Sequence, residues 1–372
     1  MPNLPPNSPL RILHCIASFS GGGAENQLAT LCEAAEAHAP GLAFHVAHLY
    51  GGTHLERVNG TRTVVHSIQS RGHHDPRIVL SLAKIIRQNQ IDIVHTWLPT
   101  FDVLGGVAAR LSRRPMVLSE RSSSECYDSD WTTTMRRSLG KRAAAIVANS
   151  PAGMRYWEKL ARPERLHLIP NALDSRRLSN GAELTAEEMD IARRAPRLVV
   201  VAGRFTLAKN LKVLCDALDQ IVRTRSDVNV LIFGDGELRG EVEQRLASTP
   251  PGRIQLMGFT SKLPAWLRAA DLLISLSKFE GQPNVVLEAA FLRVPQVLSD
   301  IPQHQEAVTP NGAFFTPLDS PAQACEAVER CLDDRALREQ KVAAAFSSVA
   351  NLDRDRIIGQ YEALYRSIVR SR

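Results

Sequence analysis

Short apolar runs of strand length alternate with helix-length stretches along most of the chain. That alternation restricts the fold to the β/α class. Runs at 10–17, 42–49, 63–67, 91–95, 115–119, 143–148 and 166–169 read as strands, with helices at about 24–38, 76–89 and 101–111 and another opening at Pro151. A polar stretch over 175–196 reads as a linker with a short helix. Strand-type runs resume at 197–202, 228–233, 253–257, 271–275 and 296–299, and helices at 321–331, 335–346 and 353–369 close the chain. Runs such as 197–202 are almost wholly apolar, as expected for strands covered by helices on both faces. In such sheets ligands bind outside the carboxyl ends of the strands, so the residues after each run are the ones to search.

A chain of 372 residues is long enough for two or three domains. No run of about 18 apolar residues occurs, so no membrane span is expected. Residues 1–6 lack the basic and apolar parts of a secretory signal and read as a loose tail. The six cysteines show no C-x-x-C spacing. They point to a reduced, cytosolic chain without a metal framework. The net charge of +6 suits an anionic partner: a phosphorylated substrate, an anionic lipid or a nucleic acid. Nucleic acid is disfavoured, because aromatics make up 5% of the chain and form no interleaved stacking platform.

The segment 279–288 reads as a loop entering a helix. Gly281 and Pro283 punctuate the loop, and Asn284 reads as the N-cap of a helix over 285–292. First-turn amides are unpaired within a helix and carry its positive end, which makes them an anion site. Glu280 and Glu288 flank that site. The set suits a ligand with phosphate in its middle and hydroxyls at both ends, such as a nucleotide-sugar. After the run 197–202, Gly203 is followed by Arg204 and Lys209, two cations that flank a loop-to-helix transition and suit a diphosphate.

After the first run comes Gly21-Gly22-Gly23, a turn that lets backbone approach an anion. The dinucleotide pattern G-x-G-x-x-G fails here, with Asn26 at the third glycine. No acid follows the next strand, which ends in Tyr50-Gly51-Gly52, so NAD is disfavoured. His95 lies at another strand end. Glu120 and Arg121 lie at a third, leaning towards contact with an acceptor, whereas Ser122, Ser123 and Ser124 read as a solvated loop. In a helix over 131–142, Trp131, Met135 and Leu139 share one face, expected to pack on the sheet. Arg136, Arg137, Lys141 and Arg142 crowd the other, open to solvent, anionic lipid or a pyrophosphate. Each pattern alone also occurs as an ordinary turn or a solvated charge. Their joint order is the stronger signal.

In that order the motifs resemble the retaining glycosyltransferases of family four, whose E-x7-E signature corresponds to Glu280 and Glu288. The resemblance implies a GT-B fold, two doubly wound Rossmann-like β/α domains facing across a cleft. It divides the chain into an acceptor-side domain over 1–174, a donor domain over 175–352 and a helix over 353–372 that crosses back. It implies transfer of a hexose or N-acetylhexosamine, with retention, from a nucleotide-sugar (UDP-linked by family frequency) to a saccharide acceptor. Arg204 and Lys209 would clamp the leaving diphosphate with the amides around Asn284, Val285 and Val286. Glu280 would hold donor-sugar hydroxyls and Glu288 the ribose. Gly22 and Gly23 would face the diphosphate, Gly234 would lie near the nucleotide, and the backbone near Phe259 would meet the base. Asn171 belongs to a P-N-x-x-D element that closes the first domain.

His95 would be a helper rather than a nucleophile. Members of the family often show H-x-H at this strand end, and here Trp97 takes the second place. No metal or other cofactor is implied, since cations and the helix dipole replace it. The letters D-x-D occur only at Asp128-Ser129-Asp130, in the wrong context. By the same analogy the enzyme would be cytoplasmic or peripheral on the inner face of a bacterial membrane. There it would act on lipid-linked saccharides in surface-polysaccharide or lipopolysaccharide synthesis. A nucleotide-sugar epimerase of the same fold, needing no acceptor, and a non-catalytic nucleotide-sugar-binding protein are the alternatives.

Overall fold

The computed structural model describes residues 9–73, 75–123, 127 and 130–370. The tail 1–6, Ser124, Cys126, Asp128 and Ser129 lie outside the described residues. The chain divides into two units, 1–172 with 352–372, and 173–351. The helix expected to return to the first domain therefore belongs to the first unit. No helix among the described residues is long and apolar enough to cross a membrane.

In the first unit, strands β1 (Leu10–Cys15), β2 (Leu42–His48), β3 (Val64–Ser67), β4 (Ile93–Trp97), β5 (Met116–Glu120), β6 (Ala145–Ala148) and β7 (Leu166–Leu168) form one sheet in the order β3-β2-β1-β4-β5-β6-β7. Its pairings are parallel, with His14 opposite His95 and Glu120 opposite Ala148. β1, β4, β5 and β6 are buried along almost their whole length, as strands sandwiched between helices must be. The helix Arg77–Gln88 buries Ile78, Leu82 and Ile86, one stripe at four-residue spacing. The C-terminal helix Arg354–Arg370 buries Ile357, Ile358, Tyr361, Leu364, Tyr365 and Ile368, and packs on the helix Gly23–His38. At about 1.5–3 kcal/mol for each fully buried large apolar side chain, that stripe fixes the helix to this unit.

The second unit repeats the plan. Strands β8 (Arg197–Ala202), β9 (Val228–Phe233), β10 (Ile254–Gly258), β11 (Leu272–Ser275), β12 (Gln296–Ser299) and β13 (Phe314–Thr316) take the order β10-β9-β8-β11-β12-β13. The pairings are again parallel. β13 has three residues, too few for its run to stand out in the sequence. The expected linker contains two helices, Ser175–Asn180 and Ala186–Ala192, and the second opens on a capping box between Thr185 and Glu188. In both sheets the strand order reverses beside the first strand, at β1/β4 and at β8/β11. Those are the points where loops leave the carboxyl ends in opposite directions and open a crevice.

One expectation is overturned. The helix Trp131–Gly140 does not bury its apolar stripe: Trp131 is 61% exposed and Met135 42%. It buries Thr133, Arg136 and Gly140 instead. The reason lies beneath it. Asp102 and Glu120 are both fully buried. Arg136 Nε donates to Asp102 at 2.6 Å, and its Nη2 to Glu120 at 2.9 Å. Gly140 admits the Trp157 ring, which a Cβ would meet at 2.4 Å. Two uncompensated buried carboxylates cost several kcal/mol each, whereas exposing a Trp and a Met costs about 1.5–3 kcal/mol apiece. The ion cluster therefore sets the rotation of the helix. Arg136→Met is expected to destabilise the protein by about 3–5 kcal/mol, and Trp131→Ser by no more than about 0.5 kcal/mol. Urea unfolding of the two variants checks this, and equal losses would contradict it.

Candidate active site

The second unit assembles its site at the β8/β11 reversal. β8 ends at Ala202 and is followed by Gly203 and the exposed Arg204. The backbone is pinned there: Gly203 N–H donates to Phe233 O at 3.0 Å and Phe205 N–H to Asp235 O at 2.9 Å. A 3-10 turn, Leu207–Lys209, follows. Asn210 then takes a left-handed conformation (φ 52°) and donates its side-chain amide to Leu318 O at 2.7 Å. The loop after β11 reaches this turn directly, with Lys278 N–H donating to Ala208 O at 2.7 Å.

The same two loops bring Lys209 to Glu280, 71 positions further along, in a close ion pair. The Glu280 carboxylate also accepts from Ser277 Oγ at 2.7 Å. Its side chain is 15% exposed. Burial by itself would raise the Glu280 pKa, but the Lys209 ammonium overrides it and holds the carboxyl below its usual range. Arg204 stands beside this pair in the sequence, but the described residues show no ion pair for it.

The helix after the loop is Asn284–Phe291, and Pro283 occupies the cap position. Asn284, expected as the cap, is instead the first helical residue. Proline precludes a side-chain cap, so Val286 N–H and Leu287 N–H turn back to Pro283 O at 3.1 and 3.2 Å. Val285 is half-buried and Val286 buried. Glu288, one turn in, is 8% exposed and lies 3.9 Å from Arg177 Nη2. The two glutamates of the motif thus have separate cationic neighbours, Lys209 and Arg177.

Gly234 has a steric reason to be glycine. Its φ is +137°, and a Cβ would lie 1.9 Å from Gly203 O. It lets the β9 loop pass against the loop that presents Arg204. Phe259, just past β10, is 49% exposed.

His304 is a site-side residue that the sequence reading missed. It is fully buried, and its Nδ1 lies 3.0 Å from Ser299 O. That contact makes Nδ1 the protonated nitrogen and leaves Nε2 as an acceptor, which has no partner among the described residues. Burial lowers its pKa to about 4, although the Glu280 carboxylate pulls the other way. The available signal was a histidine in the first turn of a proline-opened helix after a strand, Pro302–Val308.

The first unit departs further from expectation. Gly22 is the N-cap of Gly23–His38 and Gly23 is exposed, but the left-handed residue of the loop is Gly21 (φ 103°). His95 was expected at a strand end. It lies inside β4, fully buried, with Nδ1 2.7 Å from Tyr365 Oη and Nε2 2.7 Å from Ser119 Oγ. Burial first, then the neighbouring His14 and Arg121, push its pKa well below the ordinary value, so it is neutral. Both nitrogens are engaged, and the ring offers no open face to a substrate.

Trp97 completes that cluster: its Nε1 donates to His14 Nδ1 at 3.1 Å. Glu120, expected to contact an acceptor, is also fully buried. Besides Arg136 it accepts from Trp157 Nε1 at 2.8 Å and Ser122 N–H at 3.0 Å. Its ligands are the protein's own. Arg121 is half-buried, over the Trp97 ring at 4.2 Å. It donates to Asn171 Oδ1 at 2.9 Å and Tyr361 Oη at 2.8 Å. No carboxylate pairs with it among the described residues.

The chain matches two family models, "Glycosyltransferase Family 4" over residues 21–177 and "Glycosyl transferases group 1" over 196–334. Together they span well over half of it, and it belongs to the family-4 type of glycosyltransferases. It is 24% identical over 303 residues to UDP-Gal:alpha-D-GlcNAc-diphosphoundecaprenol alpha-1,3-galactosyltransferase of Escherichia coli, covering 75% of this chain and 78% of the relative. A Campylobacter jejuni alpha-1,4-N-acetyl-D-galactosaminyltransferase, named for a diNAcBac-PP-undecaprenol acceptor, is also 24% identical over 301 residues, covering 78% and 79%. Among solved structures, Anabaena HepE in complex with UDP and glucose superposes with a TM-score of 0.82 at 20% identity, over 96% of this chain and 100% of that one. Sucrose-phosphate synthase of Thermosynechococcus elongatus gives 0.77 at 17% identity, over 98% and 100%. The fold is GT-B.

The Lys209–Glu280 pair gives a pH signature. Glu280 sits below its unfolded value of about 4.5. The pair's contribution is therefore present above pH 4.5 and is lost as pH falls through the folded pKa. In Lys209→Met, burial is uncompensated and the sign reverses: the folded pKa lies above 4.5. The variant is expected to be less stable than wild type by about 1–3 kcal/mol at pH 7. That deficit should shrink as pH falls towards 5. Urea unfolding of both proteins at pH 7 and 5 measures it, and a deficit independent of pH would contradict the pairing.

Proposed function

We propose that the protein transfers a sugar, with retention and without a metal, from a UDP-sugar to a lipid-diphosphate-linked saccharide. The observation that carries this reading is the Lys209–Glu280 pair at the β8/β11 reversal, beside Arg204 and the first turn of Asn284–Phe291. A diphosphate that enters there meets Lys209, Arg204 and the N-terminal end of that helix at Val285, ahead of the Val286 and Leu287 amides that turn back to Pro283. Such groups stabilise the charge that develops as the sugar leaves. Their positive charge does the work a divalent cation does in other transferases. Lys209 then shares its charge between diphosphate and Glu280, which frees the Glu280 carboxylate to accept from donor-sugar hydroxyls. Glu288 holds the ribose, and the base lies near Phe259 and Gly234.

On the acceptor side Arg121 replaces Glu120 and His95 as the working group. It is the cation of that strand end without a carboxylate partner among the described residues. An acceptor phosphate or sugar oxygen would complete its donor set. The relatives' names support diphosphate-lipid acceptors and a UDP donor. The transferred sugar is proposed to be a hexose or N-acetylhexosamine. The enzyme would work at the inner face of the membrane, in surface-polysaccharide synthesis.

The test is thermal denaturation with UDP, GDP, ADP and CMP and their sugars, followed by transfer assays. A cognate donor at 100 times its Kd should stabilise wild type by about 2.7 kcal/mol, and Arg204→Ala/Lys209→Ala should lose the shift. Arg204→Ala alone should lower kcat by about 10²–10³-fold. Turnover should survive EDTA, and NMR of the product should show the anomeric configuration of the donor. Donor converted without any acceptor would indicate an epimerase instead.

A further inference from the structure

A cavity lies at the amino-terminal end of the first sheet's strands. It has a volume of about 550 Å³ and sits at the amino ends of β5, β6 and β7, bordered by Pro115, Ala144 and His167. It is therefore remote from the strand carboxyl ends where the substrate loops lie. Four arginines line it, Arg110, Arg114, Arg142 and Arg165, against one carboxylate, Glu164. Glu164 is 66% exposed and stands 4.0 Å from Arg162, an arginine that does not line the cavity. Met116 and Leu139 supply apolar wall.

Helix ends account for only part of this charge. Arg142 Nη1 donates to Ser138 O at 3.0 Å, and Arg165 Nη1 to Lys141 O and Ala143 O at 3.2 Å each, as cations at helix carboxyl ends do. Their Nε and Nη2 groups have no partner among the described residues. Arg110 and Arg114 make no side-chain hydrogen bond or ion pair at all among the described residues. Four like charges around one cavity repel one another, and each guanidinium is a planar fork that matches phosphate oxygens. A volume of this size is in the range that holds a small ligand.

We infer that this arginine-lined cavity is a phosphate-binding site distinct from the donor site, taking a phosphate mono- or diester group. The group has two possible sources, a free phosphorylated solute or a lipid headgroup. The exposed Trp131 and Met135 continue the Leu139 stripe on the same helix, so the second source is tested alongside the first.

The experiment uses the full chain carrying Arg204→Ala/Lys209→Ala, which silences the donor site. Inorganic diphosphate is titrated by calorimetry, and co-sedimentation is measured with phosphatidylglycerol and phosphatidylcholine vesicles. Arg110→Glu/Arg114→Glu is the test variant, and Lys84→Glu/Arg87→Glu, exposed on another helix, is the charge-matched control. If the test variant melts early, Arg110→Gln/Arg114→Gln, which keeps the side-chain stems, takes its place.

The test variant is expected to weaken binding at least tenfold, and the control less than twofold. Loss of diphosphate binding identifies a free solute. Loss confined to phosphatidylglycerol vesicles identifies a headgroup. No binding of either probe, or equal loss in both double variants, overturns the site.

Discussion

Parallel strand pairing is the constraint on which this protein depends. Each parallel strand must return through a crossover, and a right-handed crossover places helices on both faces. Winding outward in both directions from the first strand leaves one reversal point per sheet. At β8/β11 the two departing loops run side by side, and Lys278 N–H to Ala208 O ties them together. Everything at the candidate donor site follows from that geometry. Lys209 and Glu280 meet because their strands are neighbours, and Gly234 lacks a Cβ because the adjacent β9 loop must clear Gly203.

Buried charge sets the second level of organisation. In the first unit, Asp102, Glu120 and Arg136 form a closed cluster beneath the helix Trp131–Gly140. Burial pushes Asp102 up to about 6 in spite of its arginine partner. Around His95 a second polar network joins His14, Trp97, Ser119 and Tyr365. Burial lowers His14 to about 3, so this network is built from neutral rings. These clusters hold the strand ends firmly and leave Arg121 half-buried beside them, without a carboxylate partner among the described residues. The two units thus use charge differently. The first buries it in ion-paired and hydrogen-bonded clusters, and the second keeps Lys209 and Glu280 paired at the rim of its sheet.

The strands and their order of appearance were legible in the sequence because fully covered strands are apolar at nearly every position. The runs 197–202 and 296–299 coincide with β8 and β12. The candidate donor-side residues stand out in the sequence for a related reason: they occupy loops, where glycines, cations and carboxylates contrast with the apolar runs. Asn284 was misplaced by one residue because proline and asparagine both fit a helix start. β13 was too short to register. His304 was missed because one histidine in a short helix carries no periodic signal.

What the sequence determined by itself was local: strand-length apolar runs, the glycine turns, and a family resemblance carried by ordered motifs. Tertiary structure decided which polar residues are sealed in the interior and which are left partly open. Glu120, Arg121 and His95 look alike as polar residues after or within a strand, yet Glu120 and His95 are sealed in and Arg121 is not. The rotation of the helix Trp131–Gly140 was decided in the same way. Its sequence offers an apolar stripe to the core, but the carboxylates beneath it come from β5 and from the helix Pro99–Leu111. Desolvating those carboxylates without a cation costs more than exposing a Trp and a Met. That balance depends on residues far apart in the chain, so no local pattern could have recorded it.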